Sequence, residues 1–520
     1  MSMNGAVSQL EVAWNTLISI ASEQAAAMVN SSFSAVLGEM EDLSAGVFDA
    51  EGTMMAQSVQ GAPGHLGSLS LGVKHFCTAF PPHTLAPGDV LITNDPWLVS
   101  GHKHDITVVT PVFLGKKLVG FTASNCHTVD IGGRIFSAAG TDVYEEGLQL
   151  PLMKLFSAGR RNDQLFTIIE SNVRSPDLVI GDLMAQVSAN ATAAKRLIEF
   201  MDEHSLKDLR ALSQAITGRT AQFMRKAIEA LPDGVYSDRI ELDGFEQPLS
   251  IAVTLTVKGE RIVVDYEGTS PQVPKGINSV LNFTRAFTYY ALKCLLAPES
   301  PNNDGSFAPI DVQAPTGSIV NATYPAAVGG RHLVGLYIPF VIFGALKSVL
   351  PDSVVADSSV LSAVTLNGRD DGDKPYIFTF FSSGGMGGRA GKAGLDATAF
   401  PSNVANVPIE IMEQSVPVLV RQRELIDGSS GKGRHRGGAG QRIGLSLRTK
   451  GSAFVSCMVE RTASAPRGFR GGGDGQPARL LIDEQPIDPK QAHVLKSGQR
   501  LVLETPGGGG YGAMSGDENG

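Results

Sequence analysis

Clusters of glycine separate short apolar runs along the last third of this chain. The sequence contains 59 glycines in 520 residues, and its clusters stand at 384–385, 387–388, 437–438, 471–473 and 507–510. Glycine permits positive φ and close approach of two backbones. A flexible linker is the alternative explanation of such clusters. Because strand-like apolar runs lie between them, we expect ordered tight loops in a large scaffold.

Composition favours a large globular protein. The chain is 42% hydrophobic and 18% charged, which supplies extensive cores and differs from disordered sequences. Its length suits two or three domains. The formal net charge of −9, without a basic stripe, argues against nucleic acid as a partner. The four cysteines are far apart and form no CxxC motif, which argues against a disulfide framework or a thiolate zinc site and favours a cytoplasmic protein.

No segment has the pattern of a signal peptide or a membrane span. The N-terminus lacks a charged region followed by an apolar core. The most apolar stretch, 333–350, carries Lys347 and several glycines, and a span needs about 20 apolar residues. We therefore expect a buried helix there and no membrane association.

Hydrophobic periodicity predicts a mixed α/β (α+β), multi-domain fold. Helical spacing covers 7–37, 177–201 and 206–230, with further helices near 283–297 and 331–350. Short β-rich runs occupy 90–93, 106–113, 118–124, 251–257 and 261–266, and the last hundred residues read as short strands between glycines. The predicted domains are a metal-binding α/β domain at 1–232, a central α/β domain at 233–415 and a β-rich, glycine-rich region at 416–520.

Two neighbouring segments concentrate histidine and aspartate. The first runs from Asn94 to Asp105 and contains His102 and His104, and the second begins at Asn125 and contains His127. Imidazole and carboxylate together suit a divalent metal such as Zn²⁺, Mn²⁺ or Fe²⁺. His102 and Asp105 precede one predicted strand and His127 ends the next, so the two strands can bring them together. A turn-rich loop with capping aspartates and a surface histidine is the alternative.

These segments resemble the hydantoinase B family, which includes the matching half of 5-oxoprolinase and the alpha subunit of acetone carboxylase. The family's runs are similar to N-D-P-Y-x-G-G-T-H-x-x-D-(I/V)-T-x-V-x-P-V-F and A-H-H-x-D-I-G-G. Matching residues here are Asn94, Asp95, Pro96, His102, Asp105, Thr107, Pro111, Phe113, His127, Asp130, Ile131, Gly132 and Gly133. Further family-like blocks lie at 48–52, 64–68, 146–148, 172–176, 181–183, 433–440 and 503–512.

The chain also departs from the family pattern close to these residues. Ser100-Gly101 stands where the family usually has Gly-Thr, and His104 stands where proline is common. Thr128 replaces the second histidine of the family's His-His pair. The resemblance implies a metal at His102, Asp105 and His127, with His104 as an extra ligand or an outer neighbour.

The resemblance also implies a reaction. A B-type subunit of this family works with a larger A-type subunit that binds ATP and Mg²⁺, in an expected A2B2 heterotetramer. The substrates are cyclic amides such as hydantoins, 5-oxoproline and lactams. Phosphorylation of the amide oxygen removes amide resonance, and water then adds at the former carbonyl carbon. The metal, zinc or manganese or else iron, would polarise the carbonyl or lower the pKa of the attacking water.

Four carboxylates take secondary roles. Asp95 and Asp130 are second-choice ligands, or partners that orient the imidazoles. Asp49 and Glu146 are candidates for proton transfer, and a turn residue is the alternative for Asp49. The C-terminal glycine run lacks the Lys-Ser/Thr of a P-loop, so no ATP site is assigned to this chain.

Two rival functions remain open from the sequence. Acetone carboxylase and its relatives use similar subunits to carboxylate ketones with ATP and bicarbonate. A chain of this length fits a free-standing B-type subunit, whereas acetone carboxylase alpha subunits tend to be longer. The second rival is a non-catalytic scaffold subunit that shapes its partner.

Overall fold

The computed structural model describes residues 3–514 of the chain. Its helices are α1 (Met3–Asn30), α2 (Ala35–Gly38), α3 (Ser68–Ala79), α4 (Asp163–Asn172), α5 (Pro176–Glu203), α6 (Arg210–Glu229), α7 (Leu281–Leu296), α8 (His332–Gly335), α9 (Ile338–Leu346) and α10 (Ile409–Ser415). The fold mixes helices and sheets, as the sequence predicted.

The strands belong to four sheets. The bounds are β1 (Leu43–Asp49), β2 (Met54–Gln57), β3 (Val90–Thr93), β4 (Asp105–Leu114), β5 (Lys117–His127), β6 (Met153–Ser157), β7 (Arg160–Arg161), β8 (Gly234–Leu242), β9 (Leu249–Lys258), β10 (Arg261–Asp265), β11 (Ile310–Gln313), β12 (Ser362–Arg369), β13 (Pro375–Ser382), β14 (Val418–Leu425), β15 (Gln441–Leu447), β16 (Ser452–Met458), β17 (Arg479–Ile482), β18 (Gln485–Pro486), β19 (Ala492–Lys496) and β20 (Arg500–Glu504).

The first sheet is seven-stranded, in the order β2-β1-β5-β4-β3-β6-β7. Helices α1 and α5 pack on one face, where Leu17 and Leu197 meet Val119 in a buried cluster. Helix α3 covers the other face, and Phe76 there lies in a cluster with Phe121. A sheet buried on both faces explains why its strands read as nearly continuous apolar runs.

The other three sheets have four, four and five strands. They run β11-β10-β9-β8, β13-β12-β16-β19 and β14-β15-β20-β17-β18. The third sheet pairs β12 with β16 and thereby joins strands from both sides of position 416. The domain division at 233 and at 416 stays a prediction.

Two predicted helices are interrupted in the structure. The helix expected over 7–37 ends at Asn30, and a separate helix α2 begins after Ser34. The backbone N–H groups of Phe33 and Ser34 donate to the Asp182 carboxylate instead of continuing the helix. The helix expected over 331–350 divides into α8 and α9, with a proline in the first turn of α9, where a missing N–H costs little.

The glycine clusters pack against one another as ordered extended backbone. Gly438 donates to Met386, Gly508 donates to Gly438, and Gly431 donates to Gly508. A Cβ on Gly437 would lie 1.9 Å from the Gly508 carbonyl oxygen. Side chains would therefore separate these segments, which is why glycine recurs in them.

The middle of the apolar stretch at 333–350 forms helix α9, and every residue of that helix is buried. Within residues 3–514, no helix combines the length and the apolar character that crossing a membrane requires.

Candidate metal centre

The hairpin of β4 and β5 places the metal candidates at one end of the first sheet. Asp105 begins β4, His127 ends β5, and the two are cross-strand partners in the antiparallel register. His102 lies in the loop just before β4. Directly opposite residues on neighbouring strands have Cβ atoms about 5 Å apart, so this register alone brings the two side chains together.

The three side chains converge on the Asp105 carboxylate. Its Oδ1 lies 2.7 Å from His102 Nε2 and 3.2 Å from His127 Nδ1. One ligand atom from each of the three residues lies within 4.8 Å of the others, and all three residues are buried. The structure therefore brings together the residues that the spacing and the resemblance selected.

The electrostatics suit a cation at this point. Burial, together with the nearby Arg331 guanidinium, lowers the pKa of His102 to about 3, so its imidazole is neutral near neutral pH. Burial by itself would raise the pKa of Asp105, but His102 and Arg331 hold it well below its usual range. A neutral imidazole and an ionised carboxylate are the forms in which these groups bind metals.

Four residues that the sequence did not select complete the centre. His65 Nε2 lies 3.1 Å from Asp105 Oδ2, and Arg331 Nη2 donates to the same oxygen at 2.6 Å. Asp42 Oδ2 lies 3.9 Å from His127 Nδ1, and His332 lines the same cavity. His65 belongs to one of the family-like blocks, which is the one signal that pointed to it.

A cavity of about 50 Å³ opens onto these residues. Its polar lining includes His65, His102, His127, Arg331 and His332. The remaining wall is largely apolar and contains Phe136, Phe283, Phe287, Leu336, Leu361, Phe381 and Val404. Polar side chains from separate segments of the chain thus converge on one small cavity with an apolar wall.

His104 lies beside the three candidates as an aromatic neighbour. Its ring stacks on His127 at a centroid distance of 5.4 Å and lies 5.0 Å from the Phe136 ring. Its Nδ1 is buried and forms no hydrogen bond within the described residues. Burial, with the His127 and His102 imidazoles next to it, keeps the pKa of His104 well below its ordinary value.

Glu146 is linked to His102 by hydrogen bonds that pass through the backbone of Gly329. Its Oε1 accepts hydrogen bonds from the N–H groups of Val328 and Gly329, each at 2.6 Å. The Gly329 carbonyl in turn lies 3.1 Å from His102 Nδ1. If His102 Nδ1 carries the proton, Nε2 is left free to bind a metal. Burial raises the pKa of Glu146 to about 7, and the side chain does not line the cavity.

Asp49 stands apart from the centre, as the last residue of β1. Its Oδ1 accepts from the N–H groups of Glu51 and Thr53, and its Oδ2 accepts from Ser213 Oγ at 2.6 Å. Both oxygens are thus held by structural contacts, and the side chain does not line the cavity. Asp49 thus holds a turn in this structure, and its role in proton transfer stays a prediction.

Asp95 and Asp130 likewise hold loops rather than imidazoles. Asp95 accepts from the backbone of Trp97 and the amide of Gln149. Asp130 accepts from Gly132 N–H and pairs with Arg174 at 2.8 Å. Among the described residues neither forms an ion pair with a histidine of the centre, and their role as ligands or orienting partners stays a prediction.

The donor set fits a divalent metal. Two imidazoles and one carboxylate are the ligands of catalytic zinc sites, which keep further positions open. His102, Asp105 and His127 supply that set, and Asp42 adds a carboxylate on the His127 side, 3.9 Å from its Nδ1.

Comparisons with known proteins identify the family of the chain. The family model described as Hydantoinase B/oxoprolinase matches residues 7–514. The chain is 31% identical to the B-type subunit of a putative D-/L-hydantoinase from Pseudomonas sp. (strain NS671), over 97% of this chain and 89% of that protein.

Two solved structures share the fold. The crystal structure of ATP-dependent caprolactamase from Pseudomonas jessenii superimposes with a TM-score of 0.86 at 26% identity, over 97% of this chain and 91% of the other. The nucleotide-free structure of acetone carboxylase gives a TM-score of 0.86 at 16% identity, over 96% of this chain and 76% of the other. The second likeness, at that identity, concerns the fold alone.

Proposed function

Because the chain belongs to the hydantoinase B/oxoprolinase family, we propose that it is the B-type subunit of an ATP-dependent enzyme that hydrolyses cyclic amides. The observation that carries the proposal is the buried convergence of His102, Asp105 and His127 on one point of a small cavity. The named activities of its relatives, hydantoinase and ATP-dependent caprolactamase, support the reaction class.

The proposed reaction opens the ring at the expense of ATP. Unstrained lactams resist hydrolysis because attack on the carbonyl carbon destroys amide resonance. Phosphorylation of the amide oxygen removes that resonance and releases ADP. Overall, the cyclic amide, ATP and two water molecules give the ring-opened amino acid, ADP and phosphate, and the amine that leaves the ring carbon takes a proton.

His102, Asp105 and His127 would hold a divalent metal, with Asp42 beside them. A bound divalent cation polarises a carbonyl oxygen and lowers the pKa of water. The protein's own contribution is to keep His102 neutral by burial and to fix its ring against the Gly329 carbonyl. Phe136, Phe283 and Phe381 line the cavity, and in this proposal they would keep bulk water away from the reacting carbon.

ATP and Mg²⁺ are assigned to a larger A-type subunit, with an A2B2 assembly. The hydantoinase relative, itself named as one subunit of its enzyme, supports a multi-subunit complex. The glycine clusters of this chain are tightly packed against neighbouring backbone, which leaves no cradle for phosphate between them: Cβ atoms at Gly387 and Gly508 would lie 1.9 and 2.1 Å from backbone oxygens.

The ketone carboxylase alternative has weaker support. Its link to this chain is a shared fold at 16% identity, and fold alone does not carry function. A carboxylase reaction would use bicarbonate and a ketone with the same ATP-binding partner. The two reactions are therefore separated by substrate rather than by cofactor.

The test is reconstitution of the complete complex. The chain is co-expressed with the larger A-type subunit, and its metal content is measured. ATP hydrolysis and ring opening are then assayed over hydantoins, 5-oxoproline and medium-ring lactams, with acetone and bicarbonate as the competing pair. We expect ATP-dependent ring opening. Carboxylation of the ketone without amide hydrolysis would favour the carboxylase instead.

A variant separates catalysis from scaffolding. His102→Ala is expected to lower metal content and abolish turnover while the two subunits still co-purify. His83→Ala is the matched control, because His83 is an exposed histidine outside the centre. If the His102→Ala complex assembles and turns over normally, the chain is a scaffold subunit and the metal proposal is wrong.

A further inference from the structure

The described residues close off from solvent the cavity at the candidate metal centre, which we call the central cavity. All the residues that line it are buried, apart from Asp42, whose side chain is 14% exposed. Its volume of about 50 Å³ gives room for about four water molecules, which is fewer atoms than a lactam or hydantoin ring contains. A ring can therefore reach the centre only if part of the cavity wall moves.

A larger cavity, which we call the outer cleft, lies on the other side of one part of that wall. Its volume is about 310 Å³. It is lined by residues of the segment 57–66, of the C-terminal half of α7 and the chain that follows it up to position 302, and by Asn403. Val59 and Cys294 in this lining are exposed, so the outer cleft communicates with solvent.

Neighbouring residues of the same segments line the two cavities. Ala62 lines both of them. In the segment 402–404 the first and last residues line the central cavity, whereas Asn403 between them lines the outer cleft. On α7, Phe287 lines the central cavity and Tyr290, one turn later, lines the outer cleft, and their ring centroids lie 6.3 Å apart. A single layer of residues therefore separates the two cavities.

One hydrogen bond joins the two loops of this layer. Asn403 Nδ2 donates to the Gly61 carbonyl oxygen at 2.9 Å, on the exposed side of the wall. Within residues 3–514, no other hydrogen bond joins the segment 58–66 to the segment 400–406. An exposed hydrogen bond contributes little net free energy, because water replaces it when it breaks. The two loops can therefore separate at this point without unfolding the sheets around them.

We propose that the ring enters through the outer cleft, and that the contact between Asn403 and Gly61 closes the passage from the cleft to the candidate metal centre. Opening moves the segment 402–404 away from Gly61 and Ala62 and joins the two cavities. Closing behind the ring shields it from bulk water. This rests on the proposed function and adds the route of entry and the residue that controls it.

The test measures entry with a reporter cysteine in the central cavity. Leu361 lines that cavity, is buried, and belongs to neither loop of the passage. The chain with Leu361→Cys is treated with methyl methanethiosulfonate, a small uncharged thiol reagent, and the rate of modification at position 361 is followed by mass spectrometry. We expect this rate to be limited by opening of the passage.

Two substitutions of Asn403 remove the amide donor without straining the backbone. Asn403 has a φ of 56°, which aspartate and glycine also tolerate. Loss of this hydrogen bond raises the open fraction, so Asn403→Asp and Asn403→Gly are expected to speed modification at position 361 by about two- to tenfold. Asn321→Asp is the matched control, because Asn321 Nδ2 donates to the Ala314 carbonyl at the same 2.9 Å but lines neither cavity.

A bulky label in the outer cleft tests the route itself. Cys294 is exposed and lines the cleft. In the Asn403→Gly chain with the reporter, a maleimide that carries a large dye modifies Cys294 before the small reagent is added. We expect loss of most of the modification rate at position 361. The same chain with Cys294→Ser, treated in the same way, is expected to keep its rate.

An unchanged rate in both Asn403 variants, or an equal rise in Asn321→Asp, overturns the closing role of Asn403. Undiminished modification of the dye-labelled chain overturns the route through the outer cleft. If Leu361→Cys does not fold, hydrogen exchange of the segments 58–66 and 400–406 in the Asn403→Gly chain replaces it. Faster exchange there than in the unsubstituted chain then supports the closing role, and equal exchange overturns it.

The outcomes distinguish this proposal from the function on which it rests, because entry is measured without ATP and without a metal. If the passage behaves as expected and the reconstituted complex opens no cyclic amide, the route stands and the hydrolase function is wrong. If the complex opens cyclic amides and the entry rates do not respond to Asn403 or to the label, the hydrolase function stands and the route is wrong.

Discussion

The ion pair between Asp105 and Arg331 predicts a large loss of stability when the carboxylate is removed. Arg331 is 6% exposed in its side chain and Asp105 1%, and Asp105 is the one carboxylate paired with Arg331 within residues 3–514. Removing one partner of a buried pair costs about 3–5 kcal/mol, since the remaining charge stays buried without compensation. We therefore expect Asp105→Asn to lower the free energy of unfolding of the metal-free chain by about 3 kcal/mol or more.

A second pair in the same sheet region serves as the matched control. Asp130 is as buried as Asp105 and pairs with Arg174 at 2.8 Å, but the Arg174 side chain is 31% exposed. Water can solvate Arg174 once its partner is neutral, so Asp130→Asn is expected to cost about 1 kcal/mol through the pair. The two substitutions change the same functional group, and they differ in the burial of the cation left behind.

The assay is urea denaturation of each variant in the presence of a chelator, so that metal binding does not contribute. Adding Arg331→Met to Asp105→Asn removes the orphaned cation, and the double variant is expected to recover most of the lost stability. Equal losses for the Asp105 and Asp130 variants would refute the reasoning. So would a double variant that is no more stable than Asp105→Asn.

Two further predictions concern Glu146 and the glycine clusters. Burial raises the pKa of Glu146 from 4.5 to about 7, so the folded chain binds more protons than the unfolded chain in that window and stability falls as pH rises through it. Glu146→Gln is expected to flatten this fall in thermal melts recorded across that range, and an unchanged pH profile would contradict the assignment. Gly437→Ala places a Cβ 1.9 Å from the Gly508 carbonyl oxygen, so we expect a loss of about 1–3 kcal/mol from overpacking. Gly451→Ala, where no atom lies within 4 Å, is the control, and similar melting points for the two variants would show that the clusters tolerate side chains.

The three candidate metal ligands could be predicted from the sequence because they lie on, or next to, two consecutive strands that pair with each other. Asp105 and His127 lie in one hairpin, β4 and β5, and its register is set by a short turn and by the alternation of the strands. His102 stands in the loop that enters the same hairpin. Spacing, residue type and family resemblance therefore converge on residues that neighbouring strands must bring together.

The secondary roles were less accessible because they depend on contacts between distant segments. Asp49 is bound by the turn that follows it and by Ser213 on α6. Glu146 contacts Val328 and Gly329, far along the chain. The sequence identifies both residues as titratable groups. Only the tertiary structure shows which of their oxygen atoms already accept hydrogen bonds.

The sequence by itself determined the family, the mixed architecture and the three residues of the hairpin end, because these follow from local patterns and ordered motifs. Only the tertiary structure decided that His65, Arg331 and His332 join them. Those residues come from a segment before α3 and from the start of α8, and neither segment has a local reason to meet the hairpin. They meet because α7 packs against α3 and against the 63–65 segment that holds His65, while α9 packs on β8 and β9 of the second sheet. Burial of these apolar faces is favourable however far apart the segments lie along the chain.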